Sequence, residues 1–497
     1  AQRKELGTYY TPIPVVRFMV RAVDEIIKTE FGLPLGVADQ TTWAEYSKAQ
    51  GIKIPNGLKA SDKVIRMIDP ATGTGTYLLE WMRQAKANLL AANKYSSEAM
   101  KAVVEQMDAF EISLSSYAVA HLKTSLELDP ELRASTHMGI RLTDTLAGRS
   151  PEQQSLFGDD PIALEGQIAE QVKFETQHSV VIGNPPYLRT SAALSIASSA
   201  DVMRSGMRGE GGQLLEDFLE PLYRDGLGVH AKNLYNLYVY FWRWAIWKGC
   251  EQNEGPAVVS FITASSFLNG PAFAGMREMM RMNFDEVFIV DLGGDGRGGR
   301  KEENVFNGVQ TAVSICIAVR RARKSLKPAR VRTLTIGGSR AEKLVQIAGT
   351  LLPSHLDNGW INVENGLTDT FLPMSKSSFH SWPHLMDLFP WQHSGAQPKR
   401  QWIIGETRKI LEERWRVLSK MNLSERSFAF RETRDRTIGG KYLSLTSEGH
   451  LKPISEVKPG DLPEAIERYG FRSFDRQWVL ADGRLGDFMK KVLWQSV

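Results

Sequence analysis

Residues 64–75 read VIRMIDPATGTG, and this stretch decides the fold. The apolar run from Val64 to Ile68 predicts a short buried strand, and helical spacing follows from Tyr77 to Ala92. A strand that passes through a glycine turn into a helix is the place where α/β sheets bind nucleotides. Glycine lets the backbone approach a ligand closely, and Asp69 can accept a hydrogen bond or a positive charge. No Gly-Lys-Ser/Thr follows, so this is not a P-loop; a tight structural turn is the alternative.

A second polar motif, Asn184-Pro185-Pro186-Tyr187, directly follows the apolar run from Val180 to Gly183. Two prolines at a strand end stop ladder hydrogen bonding, so the simplest interpretation is a chain terminator. The chemistry favours function. The Asn184 side-chain oxygen and the Pro185 carbonyl can both accept hydrogen bonds from one amino group, and Tyr187 can stack on a planar ring. The motif therefore predicts a catalytic site at the end of a strand.

Strands and helices alternate along most of the chain. Besides the two runs above, strands are predicted at residues 106–110, 139–142, 257–262, 287–291 and 312–319. This alternation predicts an α/β fold with a mostly parallel sheet that is covered on both faces. Helical spacing predicts an early helix over residues 13–28. The aromatic residues from Tyr235 to Trp247 recur at helical spacing and indicate a core helix rather than a base-stacking platform.

The alternation fades after Arg323, and this change sets the predicted domains. The first domain covers residues 1–325, with insertions at about 31–61 and 146–178. A connecting segment follows at 326–400. Residues 401–497 are predicted to begin a smaller α+β region that contacts DNA or recognises a target.

The composition is that of a globular protein. Hydrophobic residues make up 42% and charged residues 24% of the 497, and no continuous apolar stretch approaches the roughly 20 residues needed to span a bilayer. Cys250 and Cys316 are too few for a four-thiolate zinc site or a disulfide framework, which favours a cytoplasmic location and no metal. The formal net charge of +4 neither requires nor excludes nucleic acid. Because the chain begins at Ala1, we expect it to be part of a longer polypeptide.

The two motifs together resemble the amino-methyltransferases of DNA, specifically the adenine-N6 group, over roughly residues 7–320. The order of the motifs is similar to the gamma arrangement of that group. The resemblance implies a Rossmann-like domain that binds S-adenosyl-L-methionine, and catalysis by Asn184, Pro185, Pro186 and Tyr187. The cofactor-binding residues that it implies are Tyr10, Thr11, Pro12, Asp69, Pro70, Ala71, Gly73, Gly75, Glu111 and Asp144.

Three of these assignments have structural alternatives. Asp108 competes with Glu111 as the acid on the ribose hydroxyls, and either can be an ordinary surface acid. Asp144 can be a helix N-cap, and residues 7–12 can simply begin the first helix.

The loop at 293–301 contains a formal GxGxxG, but no helix pattern follows, so we predict a basic loop rather than a dinucleotide site.

The C-terminal part resembles the single-polypeptide type I (type ISP) restriction-modification enzymes, above all in YGFRSFDRQW at residues 469–478. There this region joins the methyltransferase to the target-recognition domain; an ordinary aromatic-rich domain interface is the alternative. Members of that family also carry an N-terminal nuclease and helicase. The chain contains no Walker A motif, so any such domains are expected upstream in the same parent polypeptide.

The resemblance implies a site-specific methyltransferase that modifies adenine N6 in double-stranded DNA, with the target base flipped out, in a restriction-modification or phage-defence system. No membrane partner is expected. Three alternatives stay open at this point. They are a protein-glutamine methyltransferase, whose planar amide suits the same tetrapeptide, an RNA-adenine methyltransferase, and a non-catalytic DNA-binding specificity module.

Overall fold

The chain forms two compact units in the computed structural model, residues 1–374 and 375–497. The structure describes residues 10–148, 161–187, 215–224, 228–295, 302–350, 359–363, 366–373, 382–383, 385–389, 396–433, 435–487, 489 and 491. Among these residues, no helix is long and apolar enough to cross a membrane.

Ten α-helices are described in the first unit. They are α1 (Ile13–Thr29), α2 (Trp43–Gln50), α3 (Thr76–Ala91), α4 (Ser97–Val104), α5 (Leu114–Glu127), α6 (Pro161–Phe174), α7 (Glu216–Arg224), α8 (Leu237–Ile246), α9 (Ala274–Asn283) and α10 (Arg340–Gly349). A π-helical turn, Trp247–Glu251, continues α8. Local sequence explains several ends: Thr42 and Glu45 form a capping box that begins α2, and Gly51 in the left-handed conformation ends it.

Nine strands of the first unit form one sheet. They are β1 (Met67–Asp69), β2 (Met107–Glu111), β3 (Gly139–Leu142), β4 (Val180–Gly183), β5 (Ala257–Ala264), β6 (Glu286–Asp291), β7 (Val313–Arg320), β8 (Arg330–Thr335) and β9 (Ile361–Val363). Their order is β3-β2-β1-β4-β5-β7-β6-β8-β9. Strand β7 runs antiparallel to β5 and β6, and β9 runs antiparallel to β8, whereas the other neighbours are parallel. The predicted mostly parallel α/β sheet is confirmed.

The chain order reverses between β1 and β4, which are neighbours in the sheet. Met67 pairs with Val180 and Ile68 pairs with Val181, so both strands end at the same edge. In open α/β sheets, ligands bind in the crevice outside such a switch point. The fold therefore brings the two sequence motifs to one place.

Helices cover both faces of the sheet. All eight residues of β5 are buried, as expected for a strand covered on both sides. Helices α1 and α3 contribute to the apolar core on one face, and α8 contributes to the core on the other. Every residue of α8 is buried, which confirms the prediction that its aromatic side chains are core. Arg243 within it forms ion pairs with Asp217 at 2.6 Å and Glu251 at 2.7 Å.

The sheet continues past residue 325, the predicted end of the first domain. Strand β8 places Arg330 and Arg332 beside the buried Glu286 of β6, at 2.9 Å and 3.4 Å. These arginines interrupt the apolar pattern, which is why the sequence signal fades there. Residues 31–61, predicted as an insertion, include α2, whose Trp43 and Tyr46 are buried in the core.

The second unit is a small α+β domain. Its helices are α11 (Leu385–Leu388), α12 (Arg408–Lys420) and α13 (Leu423–Phe430). Strands β10 (Ile404–Gly405), β11 (Ala465–Arg472) and β12 (Asp475–Ala481) form an antiparallel sheet in the order β10-β12-β11. Its core includes Leu411 and Trp415 of α12 and Val479 of β12. The predicted smaller α+β C-terminal region is confirmed.

Candidate active site

The two polar motifs lie side by side at the ends of β1 and β4. Asp69 ends β1, and Gly183 ends β4 immediately before Asn184. A Cβ atom at position 183 would lie 2.7 Å from Asp69 Oδ1, so only glycine leaves room for the carboxyl group. The close contact between the motifs therefore depends on the last residue of the apolar strand.

Asn184 is held from both sides. Its Nδ2 donates a hydrogen bond to Thr11 Oγ1 at 3.0 Å, and its Oδ1 accepts one from the Tyr187 hydroxyl at 2.6 Å. The Tyr187 hydroxyl also lies 3.0 Å from the carbonyl oxygen of Ile262 on β5. Because Thr11 holds the nitrogen, the amide oxygen is the atom that Asn184 presents to a donor. Pro185 is buried, and Pro186 is half-buried.

Tyr187 has an aromatic neighbour that sequence reasoning missed. The Phe306 ring lies edge-on to it, with centroids 6.3 Å apart and planes at 74°. Phe306 is far along the chain and belongs to no motif, so only the fold brings it here. Phe306 is buried and supports the Tyr187 ring, so the half-buried Tyr187 is the ring that a planar ligand next to Asn184 would meet.

The segment before α1 connects to the same place. Pro12 is the N-cap of α1, and its carbonyl accepts hydrogen bonds from the N–H groups of Val15 and Val16. Thr11 contacts Asn184, whereas Tyr10 is 60% exposed. Residues 10–12 therefore lead into the first helix, and Thr11 among them touches the candidate site; residues 7–9 of the predicted motif lie outside the described residues.

Asp69 is a buried carboxyl group without a cationic partner among the described residues. Burial raises its pKa to about 7; the Ala71 N–H, which donates a hydrogen bond to Asp69 Oδ1 at 3.1 Å, lowers it in part, and Glu111 raises it further. Sequence reasoning did not single out Tyr77, which follows the glycine loop. Burial, and to a lesser degree Asp69, raise the pKa of its hydroxyl.

The glycine loop is open on one side. Gly73 and Gly75 adopt positive φ angles of 56° and 79°, which side chains other than glycine rarely tolerate. At Gly75, a Cβ would lie 3.3 Å from Ala120, where α5 packs closely against the loop. At Gly73, a Cβ would meet nothing within 4 Å. The loop thus presents bare backbone next to Asp69, as a ligand cradle requires. Pro70 and Ala71 lie between Asp69 and these glycines.

The structure separates Glu111 from Asp108. Glu111 ends β2, and its two oxygens accept hydrogen bonds from the Gly73 N–H at 2.8 Å and the Ser113 N–H at 2.7 Å. Burial raises its pKa. Asp108 lies inside the sheet and contacts Arg66 at 2.8 Å and His178 at 2.9 Å. Burial opposes its ionisation, but these partners outweigh burial and hold its pKa well below the usual range.

Asp144 follows β3 and stabilises a turn. Its Oδ1 accepts a hydrogen bond from the Leu146 N–H at 2.9 Å, and its carbonyl accepts one from Lys173 Nζ at 2.5 Å. No helix begins at residues 144–148, so the helix N-cap alternative is wrong. The adjacent Thr145 donates to the Pro70 carbonyl at 2.5 Å, which ties this turn to the glycine loop.

The positions of the two acids predict opposite outcomes for two variants. Asp108→Asn is expected to lower the free energy of unfolding by about 1–3 kcal/mol, because the buried carboxylate loses its charge-assisted contact with the partly exposed Arg66. In the wild-type chain, folding lowers the pKa of Asp108. The Asp108 carboxylate therefore stabilises the fold at pH values above the ordinary carboxyl pKa, and this stabilisation is lost as the pH falls through the lowered pKa. Glu111→Gln is expected to weaken binding of S-adenosylmethionine about 10-fold, the worth of one hydrogen bond to a charged group.

Chemical denaturation and calorimetric titration of both variants measure these effects. Weakened cofactor binding by a fully folded Asp108→Asn variant, with Glu111→Gln unaffected, would reverse the assignment.

Two family profiles match parts of the chain. The family profile described as Eco57I restriction-modification methylase matches residues 108–296, a range that includes Glu111, Asp144 and Asn184. The profile described as Type ISP C-terminal specificity domain matches residues 387–497. The chain joins a restriction-modification methylase domain to a Type ISP specificity domain. No curated protein sequence matches the chain significantly.

Solved structures share the fold. The chain resembles LlaBIII, an ATP-dependent Type ISP restriction-modification enzyme bound to DNA, with a TM-score of 0.61 and 20% identity over 96% of this chain and 30% of that one. It also resembles a nuclease-deletion mutant of the Type ISP enzyme LlaGI in complex with a DNA substrate mimic (TM-score 0.63, 18% identity, 97% and 38% coverage). A third similar structure is DrdV in complex with DNA, with a TM-score of 0.57 and 18% identity over 98% of this chain and 45% of that one. The chain thus spans less than half the length of these proteins.

Proposed function

We propose that this chain is the modification part of a restriction-modification enzyme and transfers a methyl group from S-adenosyl-L-methionine to adenine N6 in DNA. The observation that carries the proposal is the contact between the two strand ends: the Asp69 carboxyl group lies against Gly183, the residue that immediately precedes Asn184. A cofactor at Asp69 and an acceptor amine at Asn184 would therefore meet at the edge of the sheet.

The charge at the glycine loop supports this cofactor. Asp69 and Glu111 are two neighbouring acids whose pKa values burial raises, and a cationic ligand would relieve both. S-adenosylmethionine carries a sulfonium and an ammonium group. The bare Gly73 backbone gives it room, and Asp144 lies at the adjacent strand end. The other groups proposed to line it are Tyr10, Thr11, Pro12, Pro70, Ala71 and Gly75.

The tetrapeptide supplies acceptors for an exocyclic amine. The adenine amine is a poor nucleophile because its lone pair is delocalised into the ring. Hydrogen bonds from the amine to Asn184 Oδ1 and the Pro185 carbonyl would localise that lone pair and orient it. The amine would replace the Tyr187 hydroxyl, which donates to Asn184 Oδ1 at 2.6 Å, so one donor is exchanged for another. When bound, S-adenosylmethionine supplies an electrophilic methyl group.

The remaining parts of the chain fit a DNA substrate. An adenine inside a duplex cannot reach Asn184, so the base must be flipped out, and the half-buried Tyr187 ring, which the buried Phe306 contacts edge-on, offers it a surface. The specificity-domain match of residues 387–497 supports target recognition by the second unit. Nuclease and helicase domains would belong to the same parent polypeptide, and double-stranded DNA would be the partner.

Incubation of the chain with methyl-labelled cofactor and double-stranded DNA, followed by nucleoside analysis, tests the proposal. We expect label in N6-methyladenine. Parallel reactions with RNA and with a protein extract distinguish the RNA-adenine and protein-glutamine alternatives. Label in cytosine, RNA or protein, or DNA binding without any transfer, contradicts the proposed function.

A further inference from the structure

The hairpin of β11 and β12 in the second unit ends in an unusual loop. Arg472 pairs with Asp475, so the connecting loop consists of Ser473 and Phe474 alone. Phe474 adopts a φ angle of 63°, in the left-handed region, and its side chain is fully exposed. A bulge between Gly470 and Arg472 precedes the loop.

Folding does not account for phenylalanine at this position. Two-residue hairpin loops with positive φ favour glycine, asparagine or aspartate, because other side chains are strained there. An exposed phenyl ring also gains nothing from apolar burial. Gly or Asn would therefore serve the turn better than Phe474. A strained residue at a loop tip is typical of a position retained for binding.

The strands beside this tip carry three exposed arginines. Arg468, Arg472 and Arg476 are exposed, and none forms an ion pair with a described residue. The guanidinium groups of Arg468 and Arg472 stack on Trp478 at 4.9 Å and Phe471 at 5.0 Å. Stacking fixes the plane of a guanidinium group and leaves its N–H groups available for phosphate oxygens.

The acidic residues of the hairpin compete little with phosphate groups for these arginines. Asp475 is half-buried, and its Oδ2 accepts a hydrogen bond from Gln477 Nε2 at 3.1 Å. Glu467 lies near the base of the hairpin, paired with the buried Val479. The outer end thus presents arginines around a protruding phenyl ring.

We propose that the β11–β12 hairpin binds duplex DNA, with the arginines on phosphate groups and Phe474 inserted against the bases. Apolar wedges flanked by cationic residues enter DNA grooves and partly unstack base steps in this way. The inference rests on the proposed function, because it takes DNA as the substrate. It adds the surface by which the second unit holds that DNA.

The variant Phe474→Gly tests the hairpin in the full chain. Glycine relieves the strained backbone, so the melting temperature should stay equal or rise. Binding to a labelled duplex of about 30 base pairs at low salt should weaken roughly 5- to 150-fold, the range for loss of one aromatic contact with bases. Phe428→Ala, which removes a phenyl ring that is 89% exposed on α13, is the matched control and should bind normally.

A second variant tests the phosphate contacts. Arg472→Gln combined with Arg476→Gln should reduce the slope of log affinity against log salt by roughly 1 for each arginine. Equal DNA affinity of the Phe474→Gly variant and the wild-type chain, with methyl transfer to DNA intact, would overturn the hairpin proposal alone. Absence of transfer to DNA by the wild-type chain would instead contradict the proposed function.

Discussion

Replacement of Asn184 by alanine is expected to lower the rate of methyl transfer by at least roughly 10²- to 10³-fold, the effect of losing one well-placed polar group in an active site. The variant loses the Oδ1 acceptor, so the target amine keeps its delocalised lone pair. Binding of S-adenosylmethionine should be affected much less, because the two acids proposed to hold it, Asp69 and Glu111, are unchanged. Single-turnover transfer of labelled methyl groups and cofactor titration measure the two effects separately.

Asn56→Ala provides the control for this experiment. Asn56 is an exposed asparagine whose Nδ2 bonds Glu254 at 3.2 Å, so its loss should change neither transfer nor cofactor binding. If a folded Asn184→Ala variant kept wild-type turnover, Asn184 would not be part of the catalytic site. Loss of cofactor binding in the same variant would show that the residue acts on the cofactor instead.

Much of the fold was predictable because its central strands are uninterrupted apolar runs. Strand β4 was predicted with its observed limits, because all four of its residues are buried and none is polar. The observed limits of β3 also match the prediction, although this edge strand contains Arg141. The position of Asp69 beside Gly183, the residue before Asn184, also follows from sequence. Both residues follow parallel strands, and parallel strands end at one edge.

Other features depend on packing that no local pattern encodes. The hydrogen bond from Asn184 to Thr11 joins residues separated by 173 positions, and Phe306 reaches Tyr187 only through the folded sheet. Asp108 and Glu111 look equivalent in sequence, but one lies inside β2 and the other at its end. Register alone decides which of them faces the glycine loop.

Replacement of Asp69 is expected to change the pH dependence of the free energy of unfolding, because the Asp69 carboxyl group is buried and has a pKa of about 7 in the protein without cofactor. Folding therefore favours its protonated form. The unfolded chain binds fewer protons than the native state between the ordinary pKa of about 4 and 7, so this group makes stability fall as pH rises through that window. Asp69→Asn should abolish this slope and raise the free energy of unfolding at pH 8 by on the order of 1–4 kcal/mol.

The same substitution should weaken cofactor binding, because a cationic ligand selects the ionised carboxylate. In the wild-type chain, affinity for S-adenosylmethionine should rise as pH increases through about 7, with uptake of the ligand releasing a proton below that pH. Asp69→Asn should bind about 10- to 100-fold more weakly at pH 8, with a flat pH profile.

Asp387→Asn, which changes an exposed acid of the second unit, should keep the wild-type profile. Calorimetric titrations in buffers of different ionisation enthalpy measure both the affinity and the proton release. A more stable Asp69→Asn protein that binds the cofactor as tightly as the wild-type chain would mean that the carboxylate has no cationic ligand, and the cofactor would have to lie elsewhere.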